Sequence, residues 1–330
     1  MNTAAAPELF AAAAIGAYGF PPNTQVRLVS MSENATFLVG SFVGNDVPLG
    51  VLRVYRHDYQ CPDAVCSELA WIDALRADGV VKTPAVQRTV DGQAVRWITI
   101  NGITRACAMF DYVAGENPTP DDIATYQLVG SFAAALHRHT EQWVRPAWFT
   151  RRTWDVESIL GAGAPWGQWA AGPGLDTDGV ALLNRADARV RRELASYPTA
   201  APAGGLVHCD LRDANLLKDA EGQVWVIDFD DIGFSWYLWD LSSGLTLQEH
   251  LPTVGDLASA WLGGYRQLRS LTARDVAAVP DLVFLRRLHV LAWLGSHPES
   301  DIANNVGDSY TLATYDLAEK YLNGRFLNDL

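Results

Sequence analysis

The sequence predicts an α+β protein in which a small, mainly antiparallel β part precedes a larger, mainly helical part. Short apolar runs separated by turn residues fill residues 1–110, whereas stretches of helical periodicity fill most of residues 118–330. The 330 residues are 49% hydrophobic and 19% charged, a globular composition with enough apolar material for a large core. The mean hydropathy is close to zero, which argues against a bundle of membrane helices.

The first part combines a short helix, several strands and one inserted helix. Pro62 stands in the first turn of the inserted helix and Gly79 follows its end, the usual asymmetry of helix termini. Asp91-Gly92 lies between two strand-like runs and predicts a hairpin. The predicted elements are helices over 7–18 and 62–77 and strands over 26–30, 36–42, 50–55, 85–89, 94–100 and 106–113.

The pattern changes after the turn residues Gly115-Glu116-Asn117-Pro118. Beyond them we expect mainly helices, with two short strands around a polar loop within 206–226. The predicted helices cover 121–140, 181–196, 255–270, 275–296 and 309–323. The sequence thus predicts a first part over 1–110, a linker over 111–117 and a second part over 118–330.

Acidic residues are concentrated in the second part. Lysine and arginine total 25 against 38 aspartates and glutamates, so the formal net charge is −13. Residues 1–110 carry a net −1 and residues 111–330 a net −12. Such a chain is a poor candidate for binding nucleic acid or an anionic membrane surface, because both need clustered cations. A site in the second part favours a cationic small molecule or a metal ion; a solvated acidic surface is the alternative.

The four cysteines and the first residues bear on the compartment. Cys61 and Cys66 lie five apart with no second pair to complete a zinc site, and four cysteines do not make a disulfide scaffold. No basic residue precedes Arg27, which argues against a secretory signal. Prolines 21 and 22 interrupt the uncharged run 9–26, so it is not a membrane span. We expect a cytoplasmic protein; the oligomeric state stays open.

One polar loop carries the chemistry. His208-Cys209-Asp210 follows an apolar strand, Asn215 comes five residues after Asp210, and Asp228 follows the next apolar strand. We expect this strand, loop and strand to bring Asp210, Asn215 and Asp228 together at the end of a β-ribbon. Phosphoryl transfer needs a carboxylate at the acceptor hydroxyl and oxygen ligands for Mg²⁺. Asp210 suits the first task, and Asn215 and Asp228 suit the second; the alternative is a loop whose side chains only cap turns.

These motifs resemble the aminoglycoside phosphotransferase-like kinases. His208-Cys-Asp-Leu with Asn215, followed by Ile227-Asp-Phe-Asp-Asp231, carries the likeness. The segment 228–241 and the pair Arg286-Arg287 are similar to the branch that contains the bacterial stress-response kinase A and homoserine kinases. The resemblance implies a bilobal protein-kinase-like fold, with a nucleotide-binding N-lobe (1–110), a hinge (111–117) and a catalytic and substrate-binding C-lobe (118–330). It also implies that Asp240 holds the backbone of the catalytic loop.

The resemblance further implies a cation that contacts the nucleotide phosphates from a strand. The family usually has lysine there, paired with a glutamate on the following helix, but this chain has three lysines and none before Lys82. We therefore assign Arg53 as the phosphate ligand and Glu68 as its ion-pair partner. Arginine stays charged and binds phosphate by a fork rather than as a point charge.

Two further nucleotide contacts follow from the resemblance. No Gly-x-Gly-x-x-Gly motif is present, and Ser32 and Asn34 lie where backbone N–H groups would face phosphate. A plain hairpin turn is the alternative for this segment. Backbone groups near Phe110 and Tyr112, at the hinge, are expected to bind adenine.

Tryptophans are dense between residues 143 and 169. Packing is the expected role of most of the twelve in the chain, and an aromatic wall for a cation is the alternative for the five found here.

The favoured function is an ATP- and Mg²⁺-dependent kinase acting on the hydroxyl of a small molecule, cationic by the charge argument: an amino alcohol, an amino acid or an aminoglycoside-like compound. The alternatives are a Ser/Thr protein kinase of the stress-response type and a non-catalytic nucleotide-binding module. Neither nucleic acid nor a membrane is expected as a partner.

Overall fold

The computed structural model describes residues 6–31, 34–43, 46–119 and 122–330. Its fold is α+β, as the sequence predicts, with a curled antiparallel sheet and a mainly helical portion. The chain forms two units. The first comprises Met1–Glu116, Val144–Thr150 and Leu217–Asp230, and the second comprises Asn117–Trp143, Arg151–Leu216 and Asp231–Leu330.

The first unit contains an antiparallel sheet whose strands run in the order β1-β2-β3-β6-β4, with β5 also paired to β6. The strands are β1 (Gln25–Met31), β2 (Ala35–Gly40), β3 (Gly50–Val54), β4 (Val86–Gln87), β5 (Arg96–Ile100) and β6 (Ile103–Phe110).

The hairpin predicted at Asp91-Gly92 is wrong in its pairing. A tight turn does form there, with Thr89 N–H donating to Gln93 O at 3.0 Å and Gly92 at φ +81°. The strands on either side of it, however, do not pair with each other. The eight-residue strand β6 takes both partners, because its start pairs with β5 and its end with β4.

Two helices and a ribbon complete the first unit. Helix α1 (Pro7–Ile15) buries Phe10 and Ala14 against Phe37, Leu52 and Met109 of the sheet. Helix α2 (Pro62–Ala77) has the bounds that the sequence predicts, and its Trp71 meets Phe229 edge to face at 5.6 Å. The ribbon joins β8 (Leu216–Lys218) and β9 (Val224–Val226).

The second unit is mainly helical, with a ribbon of β7 (Gly204–Val207) and β10 (Gly233–Trp236). Its helices are α3 (Ile123–Gln142), α4 (Val156–Leu160), α5 (Thr177–Leu194), α6 (Trp239–Gly244), α7 (Val254–Arg266), α8 (Ala273–Ala277), α9 (Val279–Ser296) and α10 (Asp301–Leu322). Side chains of Asp122, Asp176 and Ser300 accept backbone N–H groups at the starts of α3, α5 and α10.

Helix α9 forms the centre of this unit and is buried on almost every face. Its Arg287 makes a fully buried ion pair with Glu249 at 2.8 Å. Helices α3 and α7 approach closely because both carry glycine at the crossing: a Cβ on Gly130 would lie 2.0 Å from Trp261 O. Across the described part of the chain, no helix is long and apolar enough to span a bilayer.

Candidate active site

The loop that follows β7 is held by a buried carboxylate. Asp240 at the start of α6 accepts the backbone N–H of His208 at 3.2 Å and that of Cys209 at 2.7 Å. Cys209 has φ +68°, a left-handed conformation that costs a non-glycine residue roughly 1–3 kcal/mol. The two hydrogen bonds to Asp240 compensate for this strain, so the direction of the following residue, Asp210, is fixed. The backbone-holding role expected of Asp240 is confirmed.

Asp240 is in turn oriented by a histidine that the sequence did not single out for this role. His137 Nε2 lies 2.9 Å from Asp240 Oδ2, and its Nδ1 lies 2.9 Å from the Tyr265 hydroxyl. Because a carboxylate only accepts, Nε2 carries the proton. Burial lowers the pKa of His137, although the hydrogen bond to Asp240 opposes this effect, so the ring is neutral and Nδ1 accepts from Tyr265.

The Asp210 carboxylate accepts hydrogen bonds on both oxygens. Arg286 Nη2 donates to Oδ1 at 2.7 Å, and Arg212 Nε and Asn215 Nδ2 donate to Oδ2 at 3.2 and 2.6 Å. Burial alone would raise the pKa of Asp210, but the charges of Arg212 and Arg286 lower it below its ordinary value. The carboxylate is therefore ionised at neutral pH and fixed in direction.

Asn215 ends a 3₁₀ turn (Asp213–Asn215) and faces back toward Asp210. Its Nδ2 donates to the backbone oxygen of Asp210 at 2.8 Å as well as to the carboxylate. With Nδ2 used in this way, Oδ1 is the atom left to act as a ligand. Asn117 Nδ2 braces the turn by donating to Ala214 O and Leu216 O at 3.0 and 2.8 Å.

In the first unit, Arg53 lies between two carboxylates. Its Nη1 is 3.1 Å from Glu68 Oε1 and its Nη2 is 2.8 Å from Asp228 Oδ1. The Tyr55 hydroxyl donates to the second Glu68 oxygen at 3.0 Å. Burial alone would lower the pKa of Arg53, but Asp228 and Glu68 raise it well above its ordinary value. The Arg53 side chain is 12% exposed, and both of its Nη atoms contact these carboxylates.

Asp228 follows β9 and combines strain with exposure. Its backbone has φ +61°, again in the left-handed region, and its side chain is 43% exposed. Strained backbone that the surrounding structure maintains is frequent at functional positions. The exposed carboxylate retains lone pairs beyond the one that Arg53 occupies.

The other residues predicted to contact the nucleotide lie in different settings. Ser32 lies outside the described residues. Asn34 is used within the protein: its Nδ2 donates to Asp230 Oδ2 at 2.7 Å and its Oδ1 accepts from Arg56 N at 2.9 Å. Phe110 ends β6, its ring 5.7 Å from the Arg53 guanidinium, and Tyr112 follows in the irregular segment after it. Backbone contacts from Asn34, Phe110 and Tyr112 to a nucleotide stay predictions.

The residues predicted to bind a metal are one amide and one carboxylate, Asn215 and Asp228. Within the described ranges, no group of three or more His, Cys, Asp or Glu residues is arranged to hold a metal ion. Asn215 belongs to the second unit and Asp228 to the first, so their joint use as ligands of a metal ion stays a prediction. Mg²⁺ in proteins is usually held by one or two carboxylates together with substrate phosphates and water.

The sequence motifs did not reveal Arg212, Arg286, His137 and Asn117 as parts of this arrangement. A signal existed for one of them: Arg286 stands beside Arg287 in an otherwise apolar helix, and buried arginines need partners. Which partner Arg286 takes is decided by tertiary structure.

Fold and site geometry together define a phosphotransferase. Residues 26–274, well over half of the chain, match the model of the phosphotransferase enzyme family (APH), so the chain belongs to that family and is a kinase. The resemblance predicted from its motifs is confirmed.

Three individual proteins illustrate what the chain is similar to. The microcompartment-associated aminopropanol kinase is 39% identical, with a TM-score of 0.88 over 97% of this chain and 98% of that one. Amicoumacin kinase of Bacillus subtilis (strain 168) is 25% identical over 312 residues, 90% of this chain and 86% of the relative. An aminoglycoside phosphotransferase from Alicyclobacillus acidocaldarius, 13% identical, shares the fold with a TM-score of 0.61 over 96% of both chains.

Proposed function

We propose that this kinase transfers the γ-phosphate of ATP to the hydroxyl of a small amino alcohol. The observation that carries the proposal is the partly exposed, ionised Asp210, which two arginines and Asn215 fix in the loop after the strained Cys209. A carboxylate held in this way suits the acceptor hydroxyl of a phosphoryl transfer.

The roles are assigned residue by residue. Asp210 accepts the hydrogen bond of the substrate hydroxyl and orients its oxygen for attack on the γ-phosphorus. Arg53 binds the nucleotide phosphates, and Glu68 holds Arg53 in position. Backbone groups of Ser32 and Asn34 contact phosphate, and those of Phe110 and Tyr112 contact adenine.

Asn215 and Asp228 are the proposed ligands of a divalent cation, with Mg²⁺ as the specific proposal. When bound, the cation neutralises charge on the nucleotide phosphates. AMP-PNP and Ca²⁺ accompany an amicoumacin kinase of the same fold, which supports a nucleotide and a divalent cation here.

Two observations support an amino alcohol as the acceptor. The relative that is 39% identical over nearly the whole chain is an aminopropanol kinase. The charge of residues 111–330, a net −12, attracts a cation toward the part of the chain that contains Asp210. We place the reaction in the cytoplasm, where ATP is available.

The test is an ADP-release screen with the wild-type chain and the Asp210→Asn variant as its matched control. The acceptors are 1-amino-2-propanol, ethanolamine, propane-1,2-diol, homoserine, an aminoglycoside, a macrolide and a general protein substrate. We expect Asp210-dependent turnover to be highest with the amino alcohols. Preferential turnover of the protein, the macrolide or the diol would refute the proposed substrate class.

A further inference from the structure

A threonine in the turn after α6 contacts the arginine that orients Asp210. Thr246 is buried, 7% exposed, and its Oγ1 accepts a hydrogen bond from Arg286 Nε at 3.0 Å. Nη2 of the same guanidinium donates to Asp210 Oδ1 at 2.7 Å. Arg286 therefore connects Thr246 with the proposed catalytic carboxylate.

The guanidinium of Arg286 is held on several sides. Thr246 binds its Nε, and the ring centroids of Trp166 and Trp239 both lie 5.9 Å from its central carbon. Because a guanidinium is planar and rigid, a partner that fixes Nε also fixes the direction in which Nη2 donates. The Thr246 hydroxyl therefore determines how Arg286 meets Asp210.

The same helix also holds the backbone beside Asp210. The Oγ of Ser243 accepts the N–H of Leu211, the residue after Asp210, at 3.1 Å. Asp240, earlier in α6, accepts the N–H of the residue before it at 2.7 Å. Thr246 lies three residues beyond Ser243 and acts on the side chain rather than on the backbone. Helix α6 and the turn after it thus hold both the chain direction and the carboxylate of Asp210.

The contact with Arg286 also affects the acidity of Asp210. Arg286 of α9 faces this carboxylate together with Arg212, His208 and Asp213 of its own loop. Burial raises the pKa of Asp210, and the positive charges of Arg212 and Arg286 lower it. If the Arg286 guanidinium turns away, part of this stabilisation of the carboxylate is lost and the pKa of Asp210 rises.

We propose that Thr246 is a positioning residue that holds the Arg286 guanidinium in the orientation that directs the Asp210 carboxylate at the acceptor hydroxyl. The inference rests on the proposed function, because it assigns the direction of Asp210 to phosphoryl transfer. Thr246 acts on the reaction through Arg286.

The test compares Thr246→Val and Thr246→Ser with the wild-type chain. Valine keeps the branched shape and removes the hydroxyl, whereas serine keeps the hydroxyl. For Thr246→Val we expect kcat with 1-amino-2-propanol to fall about 10-fold, the effect of losing one hydrogen bond to a charged group. The KM for ATP should be unchanged, and the acidic limb of the kcat/KM profile should move to higher pH. Thr246→Ser should retain most of the wild-type kcat.

Thr314→Val is the matched control. Thr314 is fully buried, and its Oγ1 accepts from Arg287 Nε at 2.8 Å, so the variant loses the same kind of hydrogen bond from the adjacent arginine of α9. Arg287 forms its ion pair with Glu249, at 2.8 Å. We expect Thr314→Val to lower the melting temperature and to leave kcat and the acidic limb unchanged. An equal fall of kcat in both valine variants would assign the effect of Thr246 to stability and overturn the inference.

A double variant tests whether Thr246 acts through Arg286. Arg286→Gln removes the guanidinium, so adding Thr246→Val to it should change kcat by less than about 2-fold, because the two residues act as one unit. A further fall as large as that of Thr246→Val alone would contradict the inference, since Thr246 would then act by a separate route.

Failure of the proposed function has a different signature. If the wild-type chain turns over no amino alcohol but phosphorylates another acceptor, the proposed substrate is wrong, and the same comparison with that acceptor decides the role of Thr246. If the wild-type chain phosphorylates no acceptor, both proposals fail. If it turns over amino alcohols and Thr246→Val matches it in kcat and in the acidic limb, only the inference on Thr246 fails.

Discussion

Arg53→Ala should weaken both the fold and the nucleotide site, and the structure allows the two effects to be separated. The change removes the cation between Glu68 and Asp228. Glu68 is fully buried and would lose this ion pair while keeping the hydrogen bond from the hydroxyl of Tyr55. Asp228 is half exposed and would be solvated by water.

The expected loss of stability follows from the difference in burial between Glu68 and Asp228. Removing one partner of a buried ion pair costs about 3–5 kcal/mol of stability. Because Glu68 keeps its hydrogen bond from Tyr55, we expect a cost near the lower end of this range. Loss of the exposed contact to Asp228 adds at most about 1 kcal/mol. We therefore expect a destabilisation of about 3–4 kcal/mol. Loss of a charge-assisted hydrogen bond to phosphate should weaken ATP binding about 10- to 100-fold in addition.

The assay is thermal unfolding with and without ATP, together with the KM for ATP, on Arg53→Ala, Arg53→Lys and the double variant Arg53→Ala/Glu68→Gln. The double variant has no unpaired buried charge, so most of the lost stability should return while ATP binding stays weak. Arg53→Lys keeps the charge but cannot fork across two carboxylates, so its values should lie between wild type and alanine.

Two results would refute this reasoning. ATP affinity equal to wild type in Arg53→Ala would place the phosphate site elsewhere. Recovery of ATP affinity in the double variant would show that Arg53 acts only through the fold.

Four further predictions concern the catalytic and metal-binding groups. Asp210→Asn should lower kcat about 10²- to 10⁴-fold while ATP still raises the melting temperature; a variant that retains most of its turnover would contradict the assignment. Arg286→Gln removes a charge that lowers the pKa of Asp210, so the acidic limb of the kcat/KM profile should move to higher pH; a profile that does not move argues against Asp210 as the titrating group. Asp228→Asn should hardly change the melting temperature without nucleotide but should reduce the extra stabilisation by ATP with Mg²⁺ over ATP alone; a wild-type chain that gains nothing from Mg²⁺ would remove the basis of the metal assignment. Finally, kcat/KM for a cationic acceptor should fall as ionic strength rises while that for a neutral diol stays constant, and equal salt dependence for both would exclude electrostatic steering.

Local signals in the sequence predicted the bounds of an element correctly where residues at its own ends determine them. Proline and glycine at its two ends defined α2 correctly. The helix predicted over 275–296 is instead divided at Ala278 into α8 and α9, with Pro280 in the first turn of the second, a position where proline needs no N–H partner. Helix α10 starts eight residues before the predicted position. The prediction missed its first turns because they contain weak helix formers such as Asn304 and Asn305.

In the candidate site, too, residues close in sequence could be predicted and partners distant in sequence could not. Asp210 and Asn215 belong to one short loop, so their spacing alone indicated a common task. The groups that orient them come from distant helices: Arg286 is 76 residues from Asp210, and His137 is 103 residues from Asp240. Only folding brings such partners together. The same holds for Asn34, whose side chain contacts Asp230 and the backbone of Arg56, 196 and 22 residues away in the sequence.

The strained, buried position of Cys209 has a consequence for the chemistry of its thiol, which lies next to Asp210, the proposed catalytic carboxylate. Burial raises the pKa of Cys209 well above its ordinary value, and the nearby carboxylate of Asp240 raises it further. Only a thiolate is an effective nucleophile toward oxidants and alkylating agents, so this sulfur stays inert next to Asp210. Cys61, by contrast, is exposed at the start of α2. An electrophile should therefore modify Cys61 first and leave the catalytic loop intact, which makes Cys61 the natural attachment point for a spectroscopic probe on the working enzyme.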